Sequence, residues 1–123
     1  MLIDAILGAM SEVTLAKGYV LVCNRHIRTL ERAAQVCQAI DDALLRGKVD
    51  RVLFDTRETE APAEDVRTAM WEWVSARRHH CRCAIVAQSE LTQVSGNMTA
   101  RSFKAPLRSF GDLEEAERWL LED

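Results

Sequence analysis

The chain has 123 residues, 48% of them hydrophobic and 28% charged, which is room for one domain with a real core and not for two. Its formal net charge is −3, with acids and bases interleaved, so no positive field exists to gather nucleic acid or an anionic membrane. Four cysteines, at positions 23, 37, 81 and 83, are irregularly spaced in a chain of this size and point to a reducing compartment, with the cytoplasm as the expected location.

The chain opens on "MLIDAILGAM", which is apolar but carries Asp4, has no Lys or Arg before Lys17, and is too short to span a bilayer. Residues 1–10 are expected to be an apolar extension, neither signal peptide nor membrane span. As a short helix with Leu2, Ile3, Ile6 and Met10 on one face, it would pack on the sheet or on a second copy. "SEVTLAKGYVLVCNR" then gives two β-prone runs, Glu12 to Leu15 and Tyr19 to Asn24, joined by a tight turn at Lys17-Gly18. From Thr29 the period changes. Leu30, Ala33, Cys37, Ile40 and Leu44 fall at helical spacing, with Thr29 as N-cap and Gly47 as the stop.

"RVLFD" is short, apolar and ends in an acid, the pattern of a central strand buried on both faces. A second helix follows, with Pro62 in its first turn, Glu64 and Asp65 at the positive end of its dipole, and Arg77, Arg78 and two histidines at the other. "CRCAIVAQ" is the next strand. Ser89 to Ala105 is mixed, with Gly96-Asn97 predicted to break any helix begun at Ser89, and "PLRSF" supplies a last strand. Asp112 caps a final helix with Glu115 three positions on, and Trp119 and Leu120 are expected to close the core. Strands alternating with helices in this order predict a single α/β layered domain whose later strands are parallel.

The densest reactive-looking stretch is "RHHCRCAIVAQ", residues 78–88. In a strand, Cys81 and Cys83 point to one face and Arg82 to the other. A Cys-x-Cys strand does not curl as zinc knuckles do, and His26, Cys23 and Cys37 have no ligand spacing. Cations at a helix end and buried thiols behaving as small hydrophobes account for every residue, so no metal and no cofactor is expected. No G-x-S-x-G elbow surrounds any serine, Ser89 and His26 included, and no glycine-rich phosphate cradle is visible. No catalytic residue is therefore assigned.

Three stretches, "GKVDRVLFDTRE", "RHHCRCAIVAQ" and "LRSFGDLEEAERWLLED", together with the order of elements from about Tyr19 to Leu121, resemble STAS-like domains, the anti-sigma-factor-antagonist fold, in the SpoIIAA-like or STAS/SEC14-like branch. The resemblance implies a mixed, mostly parallel sheet of four to five strands with an N-terminal hairpin, flanked by three to four helices. It also implies a bacterial signalling or binding role rather than catalysis. Regulators of sigma factors in that family carry a phosphorylatable Ser or Thr at the start of the helix after the strand matching "RVLFD". Here Ala61, Pro62, Ala63 and Glu64 stand near that place and Thr56 and Thr59 are the nearest hydroxyls, which puts a kinase-controlled switch in doubt. Glu58, Glu60, Glu64 and Asp65 either supply fixed negative charge to a partner or simply solvate a loop and complement a helix dipole.

In open α/β sheets partners meet the carboxyl ends of the strands, which gathers Asp55, Thr56, Arg57, Glu58 and Thr59 with the helix start at Glu64 and Asp65 as the expected contact surface. Asp55 has a second reading, as a carboxylate capping its own turn. On a helical wheel Val66, Ala69, Met70 and Trp73 share the core face, whereas Trp71 lies beside Arg67 and is an exposed anchor unless a neighbour covers it. The expected function is a non-catalytic module recognising a protein partner, alone or as a homodimer. The alternative is a carrier or sensor of a small apolar ligand or lipid held between helix and sheet.

Overall fold

The computed structural model describes residues 13–23, 29–57, 63–76, 81–90, 93–94, 97–98, 101 and 107–122. The apolar extension expected at residues 1–10, Pro62, and the basic and histidine residues of 77–80 lie outside them.

A five-stranded mixed sheet runs in the order β1-β2-β3-β4-β5. β1 (Val13–Leu15) and β2 (Val20–Cys23) form the predicted hairpin. Its turn closes with Ala16 N–H donating to Tyr19 O at 2.8 Å and uses Gly18 at φ +89, a backbone that L side chains rarely adopt. β3 (Arg51–Asp55), β4 (Arg82–Val86) and β5 (Leu107–Phe110) are parallel to β2 and to one another. "RVLFD" is the middle strand, with Val52, Leu53 and Phe54 all buried, as a strand covered on both faces requires.

The register decides which side chains share a face. Rows Val20–Val52–Cys83 and Val22–Phe54–Ile85 lie under α1 (Leu30–Gly47) and α2 (Glu64–Ala76), where they pack with Val36, Ile40, Val66, Trp73 and Val74. Cys81 and Cys83 are buried in that same cluster, so the two thiols share a face as their spacing predicts. Phe54 meets Trp73 edge to face, centroids 6.4 Å apart, and Cys37 Sγ donates to Met70 Sδ at 3.6 Å, joining α1 to α2. The opposite face, with Leu53, Ala84, Val86 and Phe110, packs on α3 (Leu113–Leu120) through Ala116 and Leu120.

Thr29 caps α1 as expected, its side chain accepting from Arg32 N–H at 3.0 Å. The C-terminus differs from the sequence reading. Gly47 remains helical and Lys48 takes the left-handed conformation, φ 53, while the N–H groups of Lys48 and Val49 return to the Leu45 and Leu44 carbonyls. A Cβ at 47 would stand 2.5 Å from Leu15 Cδ1 on the hairpin, so any larger residue there would have to push that half-exposed side chain aside. The buried stripe of α1 is Ala33, Val36, Ile40 and Ala43; Cys37 and Leu44 flank it and Leu30 is exposed. Between β4 and β5 Gly96 lies outside the described residues, so the expected break at Gly96-Asn97 falls only in part on described ones. Glu90, Gln93, Val94, Asn97, Met98 and Arg101 all have helical backbone, and Gln93 N–H donates to Ser89 O at 3.1 Å.

Asp112 caps α3 by accepting from Glu115 N–H. Its far end is held by two arginines that face each other across β3 and β4. Arg51 Nη1 donates to Leu120 O at 2.7 Å, and Arg82 Nη1 donates to Trp119 O and Glu122 O, each at 3.0 Å. Leu120 O and Trp119 O belong to the last turn of the helix and Glu122 O to the chain just beyond it, with Trp119 O also accepting from Glu122 N–H at 3.3 Å; the cations stand at the negative pole of the helix dipole. Arg82 also lies 4.8 Å over the Trp119 ring, which packs on Phe110 at 5.5 Å.

From the hairpin side, Tyr19 hydroxyl donates to Glu117 Oε2 at 2.7 Å. Burial, then the hydrogen bond and charge of Glu117, push the phenol up to about 12 from 10.0. A raised folded value favours the neutral phenol. Its contribution is therefore intact below about pH 10, the unfolded value, and is lost as pH rises through about 12. Tyr19→Phe is expected to be less stable than the parent near pH 8, with the gap closing at about 1.4 kcal/mol per pH unit above pH 10. Urea unfolding of both proteins across that range measures it; a gap independent of pH would remove the linkage.

Candidate functional site

Because β2 to β5 are parallel, their carboxyl ends lie on one edge, where Asp55, Val86 and Phe110 end their strands and where α2 and α3 begin. Asp55 leaves β3 with a half-buried carboxylate. Arg57 Nε donates to its Oδ1 at 2.9 Å and Arg57 Nη2 to its Oδ2 at 2.8 Å, and the Arg57 backbone N–H adds a third bond at 3.2 Å. The carboxylate thus holds its own turn, the second of the two sequence readings. A bidentate guanidinium pair fixes geometry more than it adds stability, since at this exposure it contributes about 0–1 kcal/mol. Thr56 is also committed. Its hydroxyl and its N–H both donate to Val86 O, at 2.8 and 2.9 Å, prolonging the β3–β4 pairing beyond the strand end.

Glu58, Glu60 and Thr59 lie outside the described residues. Glu64 and Asp65 are exposed in the first turn of α2, and Asp65 Oδ1 accepts from Val66 N–H at 2.8 Å. That is the position in which a carboxylate complements a helix N-terminus. Trp71 stands seven residues further on, about 10 Å along the helix axis. Of its two readings, exposed anchor or covered ring, Trp71 meets neither in full: it is half-buried. The structure therefore joins Asp55, Thr56 and Arg57 into one braced turn, presents Glu64 and Asp65 beside it, and leaves Trp71 apart.

Cys23 stands opposite Asp55 in the β2–β3 register, and none of the four cysteines is in a disulfide. His26, His79 and His80 lie outside the described residues, among which no group of three or more His, Cys, Asp or Glu is placed to hold a metal ion. No helix among the described residues is long and apolar enough to cross a membrane. Sequence reasoning missed Arg51, Arg82, Gln93 and Asn97. An arginine opening each of two strands, ahead of a helix ending in "RWLLED", was the available signal for the first two.

The profile of the SpoIIAA-like family matches residues 25–121. The chain belongs to the SpoIIAA-like family. A solved structure similar to it is that of an uncharacterised DUF3478-family protein with a SpoIIAA-like fold from Shewanella loihica PV-4. The TM-score is 0.69 at 18% identity, covering 88% of this chain and 91% of that one. At that identity the likeness concerns the fold, a SpoIIAA-like mixed sheet with its antiparallel pair at one edge. No curated protein matches the sequence.

Proposed function

We propose that this SpoIIAA-like domain is a non-catalytic regulatory module that recognises a protein partner through the carboxyl end of β3 and the first turn of α2. The observation that carries this reading is the bidentate Asp55–Arg57 clasp. A general base needs its carboxylate directed at a substrate proton, whereas this one is spent on bracing a turn, with the Thr56 hydroxyl equally spent on Val86 O. A rigid turn beside the exposed, acidic Glu64 and Asp65 suits display to a basic surface, at low entropic cost on binding. The alternative of an apolar ligand between helix and sheet is less well supported, since Val36, Ile40, Phe54, Val66 and Trp73 fill that layer. A cytoplasmic location fits four cysteines outside any disulfide.

The test is affinity capture from cells of the source organism with the parent chain and with Glu64→Lys/Asp65→Lys. Both positions are exposed, so the double variant is expected to melt within about 1 kcal/mol of the parent. Partners recovered with the parent should fall at least tenfold with the variant, the size of effect that charge reversal has at an electrostatic contact. Equal recovery by the two proteins would remove this surface from the proposal.

A further inference from the structure

Two sulfurs meet where α1 packs on α2. Cys37 stands beside the buried stripe of α1, next to Val36, and Met70 lies on the inward face of α2, between Val66 and Trp73. The Cys37 thiol donates to Met70 Sδ at 3.6 Å across 33 residues of chain, so no spacing motif in the sequence announces the pair. Both residues are half-buried, which places the contact at the margin of the helix layer rather than sealed within it.

The chemistry of this donor set is narrow. At a metal–sulfur bond of about 2.3 Å and a tetrahedral angle, two sulfurs on one ion stand about 3.8 Å apart, close to the separation already present. A thioether is neutral and polarisable and has little hold on hard cations, which prefer oxygen and keep their water; thiolate with thioether selects copper(I). Zinc wants four ligands, and no group of three or more His, Cys, Asp or Glu among the described residues offers them. A soft monovalent ion is held by two sulfurs, with a third place open to water or a small thiol. Charge points the same way. Val36, Val66 and Trp73 of the same cluster make the surroundings apolar, so one thiolate with one monovalent cation leaves no net charge to bury, whereas a divalent ion leaves a positive one.

We propose that Cys37 and Met70 form a binding site for a soft monovalent metal ion, copper(I) being the ion their donors select, and that the bound ion bridges α1 and α2. On binding, the Cys37 S–H bond breaks, its proton passes to water and a sulfur–metal bond forms in its place, while Met70 Sδ adds a lone pair; no electron is transferred. The site does not rest on the partner-binding reading of the β3–α2 surface.

Anaerobic titration of the reduced chain with copper(I) held by ferrozine tests it. The parent should withdraw one equivalent from the chelator. Met70→Leu keeps the volume of the side chain and all four thiols, and Cys37→Ser keeps its size; each should weaken binding by about tenfold or more. A second measurement does not depend on the variants. In parent protein carrying carbon-13 in its methionine methyl groups, silver(I), a redox-silent substitute, should move the Met70 resonance to saturation at one equivalent, ahead of that of Met98, which is 66% exposed and would respond first if access alone decided. A parent that withdraws no copper(I), a Met70→Leu variant that binds as tightly as the parent, or a Met70 methyl that does not respond overturns the proposal.

Discussion

Phe54→Ala is expected to lower the free energy of unfolding by about 3–5 kcal/mol, about a fifth or more of the total for a domain of this size. Phe54 is buried at the fourth position of the middle strand, between Val22 and Ile85 in the register. It provides the ring against which Trp73 of α2 stands at 87°. Truncation removes the transfer free energy of a phenyl group and leaves a cavity under α2 that Val22, Val66 and Val74 cannot close without moving strands. An edge-to-face pair adds about 0.5–1.5 kcal/mol within that total. The residue next to it is Asp55, so the same change loosens both the strand that delivers the Asp55–Arg57 turn and the helix that carries Glu64 and Asp65. Urea titration followed by far-ultraviolet circular dichroism measures the stability, and Phe54→Leu, which keeps most of the volume, should recover more than half of the loss. A loss below about 1 kcal/mol would mean that the α2 layer is not packed as described.

What the sequence made legible follows a physical division between local and distant causes. Thr29 and Asp112 are readable because a cap is settled by a side chain and a backbone N–H three residues on. The Lys17-Gly18 turn is readable because few residues accept a positive φ. "RVLFD" is readable because a strand covered on both faces has no polar alternation. The phase of α1 is less so. Leu30 looks like part of the core stripe, but the helix meets the sheet through Val36 and Ala43, and that rotation is set by the rows it packs on, which the helix sequence does not contain.

Asn97 is a sharper instance. Its propensity and the adjoining glycine argue for a turn, yet a carbonyl acceptor there satisfies Ser109 N–H at the sheet edge, and that need arises only once β5 is known to be an edge. At the candidate site, the choice between a waiting carboxylate and a self-capping one was open at Asp55, and the guanidinium two residues later decided it. That spacing stands in the sequence; its geometry required the turn.

Arg82→Ala is expected to cost about 2–4 kcal/mol, a large effect for a side chain that is not in either hydrophobic cluster. One guanidinium satisfies two carbonyls at the end of α3, Trp119 O and Glu122 O, and lies on the Trp119 ring. Hydrogen bonds made by a charged donor contribute about 1.5–3 kcal/mol and a cation over a ring about 0.5–1. Arg82→Lys keeps the charge but replaces a planar fork by a point donor, and is expected to retain less than half of the difference. Arg51→Ala should cost less, since it removes a single carbonyl bond, to Leu120 O. Because both arginines hold the same helix end, the double variant is expected to depart from additivity by at least 0.5 kcal/mol. Unfolding of the four proteins in a double-mutant cycle measures that coupling. Strict additivity would mean that the two guanidinium groups act on α3 independently, and that its C-terminus is held by the Leu120 contact with the sheet rather than by a shared cationic cap.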